Sequence, residues 1–233
     1  MSYILNIETS AETCSVALSE NGKLIKLIES QELNSHSKEL NLFIEEILKT
    51  SNISYKDLKA LAVSYGPGSY TGLRIGMSTA KAICYAHDIP LICLSRLQIL
   101  ANALEEQIDF ETDNLAILPL LDARRMEVYV ATFDINLNFN SQAEAMIVDE
   151  KTFDIYKDYS KVVIGGSGAE KCLQFVENDD RFVFYDVKLS SKYMPKLAEY
   201  EFQNKNFADL AYSEPFYLKE YKAIVSKVKG LHD

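Results

Sequence analysis

The stretch that most constrains the fold is Gly66-Pro67-Gly68-Ser69-Tyr70-Thr71-Gly72-Leu73-Arg74-Ile75-Gly76. It follows an apolar run, LKALAVSY, and leads into MSTAKAICYAHD, so it reads as strand, turn and helix. The run does not alternate, as expected of a strand covered on both sheet faces. Four of the chain's nine glycines lie here, so a ligand or a neighbouring backbone must come very close. A Walker loop, G-x-x-x-x-G-K-[ST], fails, because Leu73 follows Gly72 and no lysine is present. A dinucleotide loop, G-x-G-x-x-G, fails because Thr71 stands at its last glycine. An anion held by backbone N–H groups at the helix N-terminus stays open. Gly68, Gly72, Gly76 and Ala80 recur every four residues, which strips one helix face of bulk. Each mid-helix glycine costs roughly 1 kcal/mol against alanine. Close packing must offset that cost, and either the chain's own sheet or a partner helix can supply it. Ser69 is the expected helix cap.

The remaining pattern surrounds this unit with strands and helices. YILNIET is a strand, and CSVALSENGKLIKLIES is two strands joined at Asn21-Gly22, a two-residue hairpin signal. In HSKELNLFIEEILKTSN, Leu40, Phe43, Ile44, Ile47 and Leu48 mark an amphipathic helix, with Ser35 or Ser37 as cap and Glu39 in its first turn. A helix over 70–86, the strand PLICLS and the helix RLQILANALEEQ complete a β-β-β-α-β-α-β-α order. The second half restarts with NLAILPLLDAR, MEVYVATFDIN and EAMIVD as strands. A helical stretch follows, then KVVIGGSGAEKCLQFVE as strand, glycine turn and helix. KLAEYEFQNK is a helix and PFYLKEY a short extended segment. The chain is therefore α/β and built of two related units, each a mixed sheet with helices. The polar stretch DFETDN places the division at 1–109 and 110–233, the second unit smaller and more irregular.

The formal charge of the 233 residues is -10, which argues against a broad phosphate-binding surface. Cys14, Cys84, Cys93 and Cys172 are scattered, with no C-x-x-C. MSYILNIETS lacks the basic start and apolar length of a signal peptide, and no run approaches the roughly 18 apolar residues of a membrane span. The expectation is a cytoplasmic protein with reduced thiols and no membrane contact. His36, His87 and His232 are isolated from one another, so no metal site is expected. No G-x-S-x-G elbow occurs. Glu8, Thr9 and Ser10, between two hairpin strands, and Gly165 and Gly166, in a strand-to-helix turn, are the candidate nucleotide contacts. Asp122, Arg124 and Arg125 at a strand end either clasp an anion or acidic partner, or form a solvated turn with a local ion pair.

Taken together, ILNIETSAETCSVAL, GPGSYTGLRIGMSTAKAI, DARRMEVYVATF and EPFYLKEY resemble the TsaB (YeaZ) family over nearly the whole chain. The resemblance implies the actin-like, Hsp70-like, sugar-kinase-like (ASKHA) fold. It implies a part in making threonylcarbamoyladenosine beside the tRNA anticodon, as the non-catalytic partner of TsaD, the transferase. TsaE, a small ATPase, would join the pair. By the same resemblance this chain requires no cofactor, ATP or ADP belongs to the complex, and the chain does not itself contact tRNA. TsaD holds metal through H-x-x-x-H, and aligning LSRLQIL with that segment puts Arg96 and Leu100 at the histidine positions. Neither side chain can ligate a metal. The family's partner-facing helices map to residues 35–51 and 70–86. His36, Leu40, Phe43, Gly68, Gly72, Arg74, Gly76 and Ala80 are the expected interface, for TsaD and for self-association as a homodimer. The competing readings are a metal-dependent glycoprotease-like peptidase and a sugar-kinase-like phosphotransferase using Glu8 and Asp122.

Overall fold

The computed structural model describes residues 2–30 and 36–219. Strand β1 (Tyr3–Glu8) pairs antiparallel with β2 (Ser15–Glu20), which turns at Asn21-Gly22 into antiparallel β3 (Lys23–Glu29). Asn21 and Gly22 have φ of 49° and 76°, the left-handed pair that a tight hairpin needs. Helix α1 (His36–Thr50) crosses to β4 (Leu58–Gly66), parallel to β1. Helix α2 (Tyr70–His87) crosses to β5 (Leu91–Ser95), parallel to β4. The sheet order is β3-β2-β1-β4-β5. Leu40, Ile44 and Ile47 of α1 and Leu73, Met77 and Ala80 of α2 are buried, and the two helices touch on one side of this sheet. Because α1 already includes Ser37, Ser37 is not its cap, and Ser35 lies outside the described residues.

The second sheet repeats the first. Strand β6 (Leu115–Asp122) pairs antiparallel with β7 (Glu127–Val130), and β7 with β8 (Glu144–Ile147). Strands β9 (Lys161–Gly165) and β10 (Phe182–Tyr185) then add in parallel on the other side of β6. The order, β10-β9-β6-β7-β8, is the first sheet read from its opposite edge. Strand β10 was not anticipated from the sequence. The expected helix after the glycine turn shrinks to one turn, α4 (Glu170–Leu173).

Helix α3 (Arg96–Glu105) lies between the two sheets. Leu97, Ile99, Leu100 and Leu104 are fully buried, each worth about 1.5–3 kcal/mol. They share one core with Ile4, Ala62 and Leu94 of the first sheet and Ile117, Leu121 and Val163 of the second. The division at 109/110 separates the two sheets, but the later chain returns to the first one. Helix α5 (Pro195–Gln203) packs on β1, β2, β3 and β5, and Ser2 Oγ donates to Glu199 Oε2 at 2.8 Å. No helix among the described residues is long and apolar enough to cross a membrane.

Candidate functional site

The turn that ends β1 carries Glu8, Thr9 and Ser10, and all three are buried. Glu8 is fully buried, and its Oε1 accepts from the Ser10 N–H and the Ser10 hydroxyl, both at 2.5 Å, and from the Ala11 N–H at 3.2 Å. Ser10 Oγ also stands 3.2 Å from Ser64 Oγ on β4. Thr9 Oγ1 donates to the Gly72 carbonyl at 2.7 Å. The side chains expected to meet a nucleotide are therefore spent on their own turn and on α2.

Helix α2 seals this turn. Ser69 caps it as expected, accepting from the Gly72 N–H at 3.2 Å. A Cβ on Gly72 would fall within 3.0 Å of the Thr9 carbonyl oxygen, and one on Gly76 would strike Thr9 Oγ1. This decides between the two ways of filling the glycine face: the chain's own β1 turn fills it. Leu40, Gly72, Gly76 and Ala80 are buried within the chain, so the expectation that they contact a partner is corrected. Gly68 is half-buried against the Arg96 guanidinium, and Phe43 is half-buried. Arg74 is exposed, its guanidinium 4.5 Å from the Tyr70 ring centroid. The side chain of His36 lies outside the described residues. Leu42 on α1 and Tyr85 on α2, not singled out in the sequence, are 61% and 83% exposed.

Arg96 opens α3 and points into the space between the halves. It is 7% exposed, and its Nη1 donates to the Pro67 carbonyl at 2.8 Å. Burial pulls its pKa down, while the Glu8 carboxylate and Tyr129 push it up. A guanidinium stays protonated under such opposing influences. Glu8 Oε2 and Arg96 Nε are both buried without a hydrogen-bond partner. One turn along, fully buried Leu100 lies against Gly166, whose Cβ would fall within 3.0 Å of Leu100 Cδ2. Gly165 admits Leu104 in the same way. Gly165 and Gly166 thus let α3 approach β9, which corrects their expected role as ligand contacts. Among the described residues, no group of three or more His, Cys, Asp and Glu is placed to hold a metal ion.

The β6–β7 turn is braced from both sides. Lys171 pairs with Asp122 at 2.5 Å and donates to the Arg125 and Glu127 carbonyls at 2.7 and 3.0 Å. The Arg124 N–H donates to Asp122 Oδ1 at 2.8 Å. These contacts hold the Asp122 carboxyl below its usual range, against the upward push of burial. Sequence reasoning missed how the segment before residue 220 is used. The Phe216 N–H donates to the Tyr65 carbonyl at 2.7 Å, and the Tyr70 and Tyr217 rings lie 5.1 Å apart. Lys219 donates to the Ala123 carbonyl at 3.3 Å and pairs with Glu127. Gly66, at φ +131°, leaves room for the Phe216 carbonyl, and a glycine ending a strand is the signal that could have found this crossing. A cavity of about 440 Å³, lined by Tyr65, Ser95, Phe139, Ala143 and Phe216 among others, opens beside the segment. Residues 220 and 221, the end of the expected extended segment, lie outside the described residues.

The family model described as TsaD: tRNA N6-adenosine threonylcarbamoyltransferase matches residues 29–226. The tRNA threonylcarbamoyladenosine biosynthesis protein TsaB of Haemophilus influenzae is 29% identical over 227 residues, covering 93% of each chain. YeaZ from Pseudomonas aeruginosa superposes with a TM-score of 0.75 over 94% of this chain and 100% of that one, at 21% identity. The chain belongs to the TsaB (YeaZ) family of tRNA threonylcarbamoyladenosine biosynthesis.

The TsaB fold is of ASKHA type. The inorganic polyphosphate/ATP-glucomannokinase of Arthrobacter sp. strain KM shares it with a TM-score of 0.53 at 10% identity, over 88% of this chain and 100% of that one. In this TsaB-family chain the β1 turn is closed by α2, and Arg96 and Leu100 are buried at the start of α3. The two carboxylates that a phosphotransferase reading needs are both engaged: Glu8 by its own turn, Asp122 by Lys171.

Proposed function

We propose that this chain is a non-catalytic scaffold subunit for threonylcarbamoylation of the adenosine beside the tRNA anticodon. It binds TsaD, and TsaE joins the assembly. ATP or ADP enters with the complex and is not required by this chain. The reading places the protein in the cytoplasm. The observation that carries it is the buried pair Arg96 and Leu100 on the first turns of α3. A charged guanidinium bound to Pro67 O and an isobutyl group against Gly166 occupy the two aligned histidine positions. Neither can donate an electron pair to a metal.

The partner surface is the outer side of α1 and α2. With Gly72, Gly76 and Ala80 turned inward, the contacts fall to Leu42, Phe43, Arg74 and Tyr85. Exposed Leu42 and Tyr85 supply the apolar and aromatic anchors that interfaces favour. The same face supports self-association of the isolated chain as a homodimer. The test is Leu42→Asp with Tyr85→Asp, in co-purification with TsaD from the same organism and in a tRNA modification assay. The expected outcome is an unchanged circular dichroism spectrum, at least about thirtyfold weaker TsaD binding, and loss of modification. Normal modification without this chain, or threonylcarbamoyl transfer by this chain alone, would overturn the reading.

A further inference from the structure

Two tight hairpin turns among the described residues meet the same backbone problem with opposite residues. The β2–β3 turn uses Asn21 and Gly22 at positive φ, the pair that tolerates it best. The β6–β7 turn uses Arg124 and Arg125, at φ of 68° and 52°. A left-handed backbone conformation brings any Cβ against the following carbonyl oxygen and leaves glycine unpenalised. Leu137 and Lys205 carry strain of this kind as well, and it persists only where surrounding bonds hold it. The surrounding bonds are present: Lys171 ties Asp122 and the Arg125 and Glu127 carbonyls, and Lys219 ties the Ala123 carbonyl.

Arg124 and Arg125 are both exposed, and neither guanidinium has a carboxylate within ion-pair distance among the described residues. Asp122, the nearest acid in sequence, is taken by Lys171. On a chain of net charge -10, two exposed guanidiniums outside any ion pair on one turn are a local reversal of sign. Lys219 reaches the same turn, donating to the Ala123 carbonyl with its charge paired to Glu127.

We propose that the Arg124–Arg125 turn is a phosphate-contacting site for the backbone of the substrate tRNA. Arginine forks match phosphate geometry, and the backbone of a nucleic acid is the extended polyanion that such a patch fits. This departs from the expectation that the chain makes no contact with tRNA. It rests on the family's place in tRNA modification and extends the scaffold reading: the subunit positions the RNA as well as the transferase.

The test replaces the turn with the chain's own alternative, Arg124→Asn with Arg125→Gly. This removes both charges and relieves the backbone, so misfolding cannot mimic the result. The thermal midpoint is expected to rise by about 2–6 °C. An unmodified tRNA transcript is titrated against the chain alone and against its complex with TsaD, from 50 to 200 mM salt. The slope of log K against log salt is expected to shallow by about 1.4–1.8, with affinity at 0.1 M salt falling about 25- to 60-fold. Co-purification with TsaD is expected to be unchanged. Unaltered affinity and slope would overturn the proposal, as would absence of tRNA binding by the unsubstituted complex. Lost co-purification with intact tRNA binding would assign the turn to an acidic protein surface and overturn it as well. If the chain fails to bind TsaD but still loses tRNA affinity on substitution, the scaffold reading falls and the phosphate site stands.

Discussion

Replacing Gly76 with alanine inserts one methyl group into α2 and tests which way the small-residue face points. On an exposed helix face this change stabilises by about 1 kcal/mol, from helix propensity alone. Here the new Cβ would stand closer than 3.0 Å to Thr9 Oγ1, with Val63 Cγ2 at 3.4 Å as its next neighbour. Two responses are open. The helix can shift, at an overpacking cost of about 1–3 kcal/mol. Or Thr9 can rotate, giving up its 2.7 Å bond to the Gly72 carbonyl and stranding a buried hydroxyl, again at about 1–3 kcal/mol. Set against the propensity gain, the net loss is about 1 kcal/mol and at most about 2, or roughly 2–8 °C in Tm for a chain of this length. Urea unfolding followed by circular dichroism measures it. In a Thr9→Ala background the hydroxyl is gone, and the remaining neighbours, Val63 Cγ2 at 3.4 Å and the residue 9 Cβ at 3.5 Å, are in ordinary contact. There Gly76→Ala should stabilise by about 1 kcal/mol, a difference that corresponds to about 1–3 kcal/mol of coupling. Equal effects in both backgrounds, or a stabilised single variant, would show that the glycine face does not rest on the Thr9 turn.

Arg96→Met should cost about 3 kcal/mol in urea unfolding, because Glu8 is left buried without the cation that faces it; adding Glu8→Gln should recover most of that loss, and a neutral Arg96→Met would refute the pairing. The thiols give a pH test. Burial pushes Cys14 and Cys84 from 9.0 up to about 12, and Cys93 and Cys172 up to about 11. Because the folded values lie above the unfolded one, this contribution to stability is complete below pH 9 and lost as pH rises towards 11–12. An unfolding midpoint that falls above pH 9, with slow reaction of the native thiols with an aromatic disulfide at pH 8, is expected; rapid native labelling of Cys14 or Cys84 would contradict the burial.

Much of the fold was legible because local signals and the global pattern agreed. Asn21-Gly22 fixed a hairpin, LKALAVSY read as a buried parallel strand, and Ser69 capped the helix that follows it. Strand β10 escaped because FVFY is only four residues long and pairs with distant β9, so no turn chemistry announces it. At the site, the four-residue spacing of glycines gave the correct principle, close packing, but not its direction. Periodicity locates a face on a helix, and only the tertiary partner says what lies against it. Here the partner is a backbone turn sixty-three residues earlier, at Thr9. Arg96 was legible as a non-ligand, while its bond to Pro67 O and its position opposite Glu8 depend on how α3 sits between the sheets.

The duplication sets the same packing demand on both halves of the chain. Each half needs a layer over its parallel strands, and in the first half α2 supplies eighteen residues of it. In the second half the corresponding crossover helix, α4, is four residues long and cannot cover its sheet. The outer face of that sheet is covered by Phe153, Tyr156, Cys172 and Val176 together, while on the inner face Gly165 and Gly166 admit Leu104 and Leu100, so α3 serves both sheets from between them. Closing or opening a cleft requires an interface that can slide or part, and such interfaces are small and polar. A continuous apolar core through α3, crossed by the Tyr65–Phe216 and Lys219–Glu127 contacts, resists that motion. The same packing that buries Arg96 and Leu100 therefore favours a rigid body over a moving cleft. In the scaffold role proposed above, such a body would hold the α1–α2 surface and the β6–β7 turn at a constant separation.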